Sequence, residues 1–127
     1  MNMIYVIDDD QSVLRALLLL LRAAGFQARA FSSVKEFFKQ ARMGDCDCII
    51  LDLHMPGMKG FDLMEILASQ RINTKVIILT AFDDSESREK ARQMNAAAFL
   101  TKPVDDQALI DTLKWAIRPE GKTAVGE

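Results

Sequence analysis

Met3-Ile4-Tyr5-Val6-Ile7-Asp8-Asp9-Asp10 is a run of five apolar strand formers that ends abruptly in three carboxylates. A run this uniformly apolar suits a strand covered on both faces, as in a parallel sheet. Working outward, the pattern repeats. Ser12 to Ala24 has helical character and stops at Gly25, a common residue just past a helix end. Phe26 to Phe31 alternates as a second strand. Ser33 is placed to cap a helix running through Met43, with Glu36 in capping-box position. Cys48 to Leu51 and Val76 to Leu79 are further apolar strand runs, and Ala98 to Leu100 is a short fifth. Between them, helical spacing is read over Gly60–Gln70, Ser85–Asn95 and Asp105–Ile117. Connections of this length are too long for hairpins. They suit an α/β, doubly wound, five-stranded parallel sheet with helices on both faces.

Composition narrows the class. The 127 residues suggest one domain. Half are hydrophobic and 27% are charged, an ordinary globular balance. Sixteen basic residues against eighteen acidic leave a net charge of -2, so the basic footprint of a nucleic-acid binder is missing. The longest purely apolar run, Ala16–Leu21, falls far short of the ~20 residues that span a bilayer. No early positive charge precedes Met3–Ile7 as in a signal peptide, and the protein reads as cytoplasmic. Cys46 and Cys48 fit a reducing compartment, and without a second pair they do not form a zinc site. Residues 1–118 form the expected domain, and 119–127, with Pro119, Gly121 and Gly126, read as a flexible tail or the start of a linker.

The polar residues that close each strand are the informative ones. Asp8, Asp9 and Asp10 end the first, Asp52 the third, Thr80 the fourth, and Thr101 and Lys102 the fifth. Open parallel sheets bind ligands outside the carboxyl ends of their strands, where strand order reverses. With the first and third strands adjacent, Asp8, Asp9 and Asp52 face each other there. Two carboxylates ~4 Å apart repel by about 4 kcal/mol at an effective dielectric of 20. Lys102 or a divalent cation would offset that. All-oxygen ligands favour Mg²⁺, Ca²⁺ or Mn²⁺ over zinc. Mg²⁺ in particular pairs one or two carboxylates with waters and a phosphate oxygen. This points to phosphoryl chemistry with a carboxylate nucleophile. Asp10 reads as a helix cap.

Four segments in this order carry a family resemblance: Val6-Ile7-Asp8-Asp9-Asp10, Leu51-Asp52-Leu53-His54-Met55-Pro56-Gly57, Leu79-Thr80-Ala81 and Phe99-Leu100-Thr101-Lys102-Pro103. Over about Met3 to Ile117 the chain resembles the receiver domain of bacterial two-component response regulators. The resemblance implies the flavodoxin-like strand order 2-1-3-4-5. It implies a phosphorylation-dependent signalling switch that assists its own phosphorylation and dephosphorylation, and not a classical enzyme. Asp52 would accept a phosphoryl group from a sensor histidine kinase or phosphotransfer protein. Asp9 and Asp52 would bind Mg²⁺ directly, Asp8 mainly through water, and His54 through its backbone carbonyl. Lys102 would pair with Asp52 and then with the phosphoryl oxygens. Thr80 would donate its hydroxyl to a phosphoryl oxygen, with small Ala81 leaving room. Phe99 would swing inward as Thr80 moves, Lys102-Pro103 would be cis, and Pro56-Gly57 would shape the covering loop. The surface of the fourth helix, fifth strand and fifth helix would serve a homodimer or partner.

Some positions depart from the family pattern. Asn95 stands where glycine is usual, and Asn tolerates the left-handed conformation. His54 and Phe82 occupy positions that flank the path of the hydrolytic water, where a bulky Phe82 would lengthen the phosphoryl lifetime. His54, the single histidine, otherwise reads as solvated. Leu17–Leu21 reads as part of a helix buried on two sides. Met55, Met58, Met64 and Met94 read as packing. Arg88, Lys90 and Arg92 read as a solvated face, and Trp115 as core or partner surface. Two alternatives compete. One is a non-phosphorylated docking module of the same fold, against which the complete set Asp8, Asp9, Asp52, Thr80 and Lys102 stands. The other is a magnesium phosphatase of haloacid dehalogenase type, which needs an acid where His54 stands.

Overall fold

The computed structural model describes residues 2–42, 44, 46–54, 60–72 and 74–118. Ten elements alternate along the chain: β1 (Met3–Ile7), α1 (Gln11–Ala23), β2 (Gln27–Phe31), α2 (Val34–Gln40), β3 (Cys48–Leu51), α3 (Gly60–Ser69), β4 (Lys75–Thr80), α4 (Ser85–Gln93), β5 (Ala98–Thr101) and α5 (Asp106–Ala116). The strands form one parallel sheet in the order β2-β1-β3-β4-β5, as the resemblance implies.

Strand side chains alternate between faces, and the chain fills both with apolar residues. Ile4, Val6, Cys48, Ile50, Ile77 and Leu79 pack under α1 and α5. Tyr5, Ile7, Ile49, Leu51, Val76 and Ile78 pack against α2, α3 and α4. On that second face Tyr5, Phe31 and Phe37 meet edge to face, with ring centroids 5.4–5.9 Å apart. Such rings add stabilisation beyond the area they bury.

Side chains close the open helix ends. Asp10 accepts hydrogen bonds from the Ser12 and Val13 N–H groups, so its reading as a cap holds. Ser33, Asp84 and Asp105 do the same for α2, α4 and α5. In the α2 box Glu36 reaches the N–H of Ser32, one residue earlier than the simplest form. Gly25 and Asn95 both take positive φ, +97° and +65°, ending α1 and α4 as left-handed residues.

Two expectations are corrected. α2 ends at Gln40, earlier than expected. Ala41 is extended, and Arg42 turns back so that its carbonyl accepts the Tyr5 hydroxyl at 2.9 Å. α1 is buried on one side only. Leu14, Leu17 and Leu21 face the sheet, whereas Leu19 is 67% exposed. The run of leucines is longer than one helix face, so one of them must point outward. Met64 is buried and Met94 half-buried, as packing residues. Trp115 is exposed and belongs to the surface. The expectations for Met43, Met55, Pro56, Gly57, Met58 and the tail 119–127 lie outside the described residues.

Candidate functional site

Register builds the site. Ile7 of β1 and Leu51 of β3 are direct partners in the sheet, so Asp8 and Asp52 leave adjacent strands at the same level. The backbone continues the ladder one step further, with the Asp52 N–H donating to the Ile7 carbonyl at 3.0 Å. The Asp8 N–H donates to the Phe31 carbonyl at 3.2 Å. Both carboxylates are therefore drawn from the rigid end of the sheet. Asp8 and Asp52 are buried, whereas Asp9 is exposed, and one carboxylate oxygen from each lies within 4.8 Å of the others.

Lys102 comes just after β5, two positions from β3 and three from β1 in the sheet, and its long side chain spans the gap. Its ammonium donates to Asp8 Oδ2 at 2.7 Å and stands 3.8 Å from Asp52 Oδ2. The expected Lys102–Asp52 pair is thus the longer of the two contacts. Asp8 also accepts the Asp10 N–H at 2.9 Å, so its carboxylate is fixed between a turn and the lysine. Asp52 accepts the His54 N–H at 3.3 Å. Burial pushes the Asp52 carboxyl above its ordinary value. The His54 N–H opposes this, Asp8 adds to it, Lys102 opposes it, and Asp9 adds the rest. Burial and neighbouring negative charge both disfavour the ionised form.

Thr80, the last residue of β4, is fully buried. Its Oγ1 accepts the Phe82 N–H at 3.3 Å, which leaves the hydroxyl proton to donate elsewhere. Its carbonyl accepts the Lys102 N–H at 2.7 Å, and Lys102-Pro103 is cis. Phe99 is half-buried on the α4 side of β5, and the Arg88 guanidinium lies 4.7 Å from its ring centroid. Arg88 also forks onto Asp83. Arg88 is therefore partnered on its exposed face, and Lys90 likewise lies over the Phe61 ring at 4.9 Å.

Two features escaped the sequence reading. His54 is exposed but not simply solvated. Its ring meets Phe82 edge to face with centroids 4.6 Å apart. A signal for this existed, since each residue is two places past the polar end of one of two neighbouring strands. The second is Gly60, the first residue of α3, which is buried against the backbone of Asp52.

The donor set is three carboxylates, of which the two buried ones, Asp8 and Asp52, share the single ammonium of Lys102 at 2.7 and 3.8 Å. That chemistry fits a hard divalent cation of the magnesium kind.

Comparison with known proteins gives the family. The family model for the response regulator receiver domain matches residues 4–114. The response regulator protein TmoT of Ectopseudomonas mendocina is 33% identical over 117 residues, covering 92% of this chain and 53% of TmoT. A response regulator receiver protein from Burkholderia phymatum is 38% identical, with a TM-score of 0.81 and coverage of 92% of this chain and 95% of that one. The chemotaxis protein CheY4 of Vibrio cholerae is 25% identical, with a TM-score of 0.84 and coverage of 91% and 98%. The chain spans about half the length of the curated relatives it matches. With a matching family model, the same strand order and the acidic edge in place, the chain belongs to the response regulator receiver domains of two-component signalling.

Proposed function

We propose that this domain is a phosphorylation-dependent switch with Asp52 as its phosphoacceptor. The observation that carries this reading is the buried Asp52 carboxylate, set beside Asp8 and Asp9 with the Lys102 ammonium 3.8 Å away. An Asp52 carboxylate oxygen attacks phosphorus in the phosphohistidine of a sensor kinase or phosphotransfer protein. The O–P bond forms as the P–N bond breaks, and the electron pair returns to the donor imidazole. Transfer of this kind passes through a loose transition state, so positioning and charge neutralisation do most of the work. Asp9, Asp52 and the His54 carbonyl would hold Mg²⁺, with Asp8 acting through water. The ion would supply positive charge to the phosphoryl oxygens.

Lys102 and Thr80 act after transfer. The phosphoryl group adds a charge of about −1.5 to −2 at neutral pH. Lys102 reaches it by lengthening its contact with Asp8. The Thr80 hydroxyl oxygen accepts the Phe82 N–H, and its own proton donates to a phosphoryl oxygen. Phe99 shares the α4 side of the sheet with Thr80 and is the side chain that relays the movement. The readout surface is α4, β5 and α5, where Trp115 is 52% exposed, and a homodimer or partner forms there. Residues 1–118 make up the switch itself.

The His54–Phe82 ring pair shields the phosphoryl group from the hydrolytic water. A Phe82→Glu variant should lose its phosphoryl group severalfold faster than the parent, followed as decay of the adduct by intact mass. An unchanged decay rate would remove the shielding role.

The main experiment incubates the protein with Mg²⁺ and acetyl phosphate and records intact mass beside Asp52→Asn and metal-free controls. A single phosphoryl adduct, absent from both controls, is expected. No adduct in a folded, metal-bound protein would favour a docking module in which Asp52 is an ordinary ligand.

A further inference from the structure

We infer that Gly60 is a positioning residue for Asp52, and that its lack of a side chain is a requirement of the site. The inference rests on the phosphoacceptor reading of Asp52. α3 begins at Gly60, and its first turn presses against the end of β3. A Cβ on Gly60 would stand 3.1 Å from the Asp52 carbonyl oxygen, 3.0 Å from Leu53 Cδ2 and 3.2 Å from Leu51 Cδ2. Three such contacts at once are tighter than ordinary carbon packing, where separations of ~3.5–4.0 Å are optimal.

The three neighbours differ in how they can yield. Leu51 and Leu53 are buried on the sheet face shared with α3, and their Cδ2 atoms could move only by disturbing that packing. The Asp52 carbonyl cannot rotate away without turning the peptide to Leu53. That peptide adjoins the His54 N–H, which donates to Asp52 Oδ1. A methyl at position 60 would therefore act on the backbone that aims the Asp52 carboxylate at Lys102, 3.8 Å away. Gly60 is not in a positive-φ conformation, so the demand for glycine comes from the close approach and not from the backbone angle. An ångström of misplacement at a reacting group costs about 10²-fold in rate. A shift of a few tenths of an ångström is expected to cost roughly tenfold.

The test uses Gly60→Ala, Leu53→Ala and the double variant in the full chain. Three quantities are read: the unfolding midpoint, the rate of Mg²⁺-dependent phosphorylation by acetyl phosphate, and backbone amide resonances in the metal-free protein. Gly60→Ala should unfold cooperatively, phosphorylate about tenfold more slowly, and shift the Leu53 and His54 amides while those of β2 stay in place. Removing the Leu53 side chain relieves the 3.0 Å contact but leaves the one to the Asp52 carbonyl. The double variant should thus stay about tenfold slower than Leu53→Ala alone. This pair also decides the matter if Gly60→Ala fails to fold.

A Gly60→Ala rate within twofold of the parent would overturn the inference. So would a double variant as fast as Leu53→Ala, since the contact would then be side-chain packing only. Loss of the fold in both Gly60 variants would make Gly60 a requirement of folding and would overturn it too. A parent protein that takes no phosphoryl group would refute the proposed function instead. The metal-free amide shifts would then still report whether Gly60 sets the Asp52 backbone, and unmoved Leu53 and His54 resonances would refute that.

Discussion

Asp52 is held in an environment that opposes its charge. Its carboxyl titrates above the ordinary carboxylate value because it is buried beside Asp8 and Asp9, with only partial relief from the His54 N–H and Lys102. A folded-state value above the unfolded one means that the folded protein binds the proton more tightly. Ionised Asp52 therefore opposes folding at all pH values above its raised value, and the penalty fades as pH falls toward the unfolded value. In the absence of divalent metal, Asp52→Asn should raise the thermal midpoint at neutral pH, and the gain should shrink in acid. Midpoints recorded across pH in chelator would check this. A neutral-pH midpoint below that of the parent would contradict it. At this scale the sequence was a good guide to which residues meet, because Asp8, Asp52, Thr80 and Lys102 all lie at strand ends. It was a poor guide to how they pair. Lys102 takes Asp8 at 2.7 Å and stands 3.8 Å from Asp52 although Asp52 follows the nearer strand, so the pairing is decided by how the side chains reach across the sheet edge, which residue order does not contain.

The elements differ in how firmly they are held. α1 buries Leu14, Leu17 and Leu21, and α5 buries Leu109, Ile110, Leu113 and Ala116. α4 buries Ala91 alone and is otherwise charged and polar. Its exposed ion pairs, Arg88–Asp83 and Arg92–Glu89, belong to a class that contributes little. Local opening is easiest where few apolar contacts are made. Amides of α4 should therefore exchange with deuterium before those of α1 and α5 under native conditions. Protection in α4 equal to that in α5 would count against this. Caps matter for the better-anchored helices. Asp10→Ala should destabilise the protein by about 1 kcal/mol, read from urea unfolding, because it leaves the Ser12 and Val13 N–H groups without their acceptor. The helices were legible from spacing and caps to within a residue or two, apart from α2. Its early stop depends on the Tyr5 hydroxyl, 37 residues away in sequence from Arg42.

The whole molecule is a sheet with two apolar layers, and its stability should reside there. Phe37 is fully buried against Tyr5 and Phe31, so Phe37→Ala should cost about 3–5 kcal/mol in urea unfolding. The alternation of strand and helix and the doubly covered strands were readable from the chain alone. The strand order was not. It came from the resemblance, and Leu19 shows why composition does not replace geometry, since an apolar residue in an apolar run still ends up 67% exposed.

Cys48 lies in the central strand β3 and is fully buried, and burial pushes its thiol up to about 12. Near neutral pH it is thus both inaccessible and almost wholly protonated, which makes it inert to alkylating reagents while the sheet is closed. In a Cys46→Ser background its labelling would act as an internal clock for opening of the central strand. Run before and after the proposed phosphorylation of Asp52, that clock would tell whether the modification tightens the middle of the molecule or loosens it.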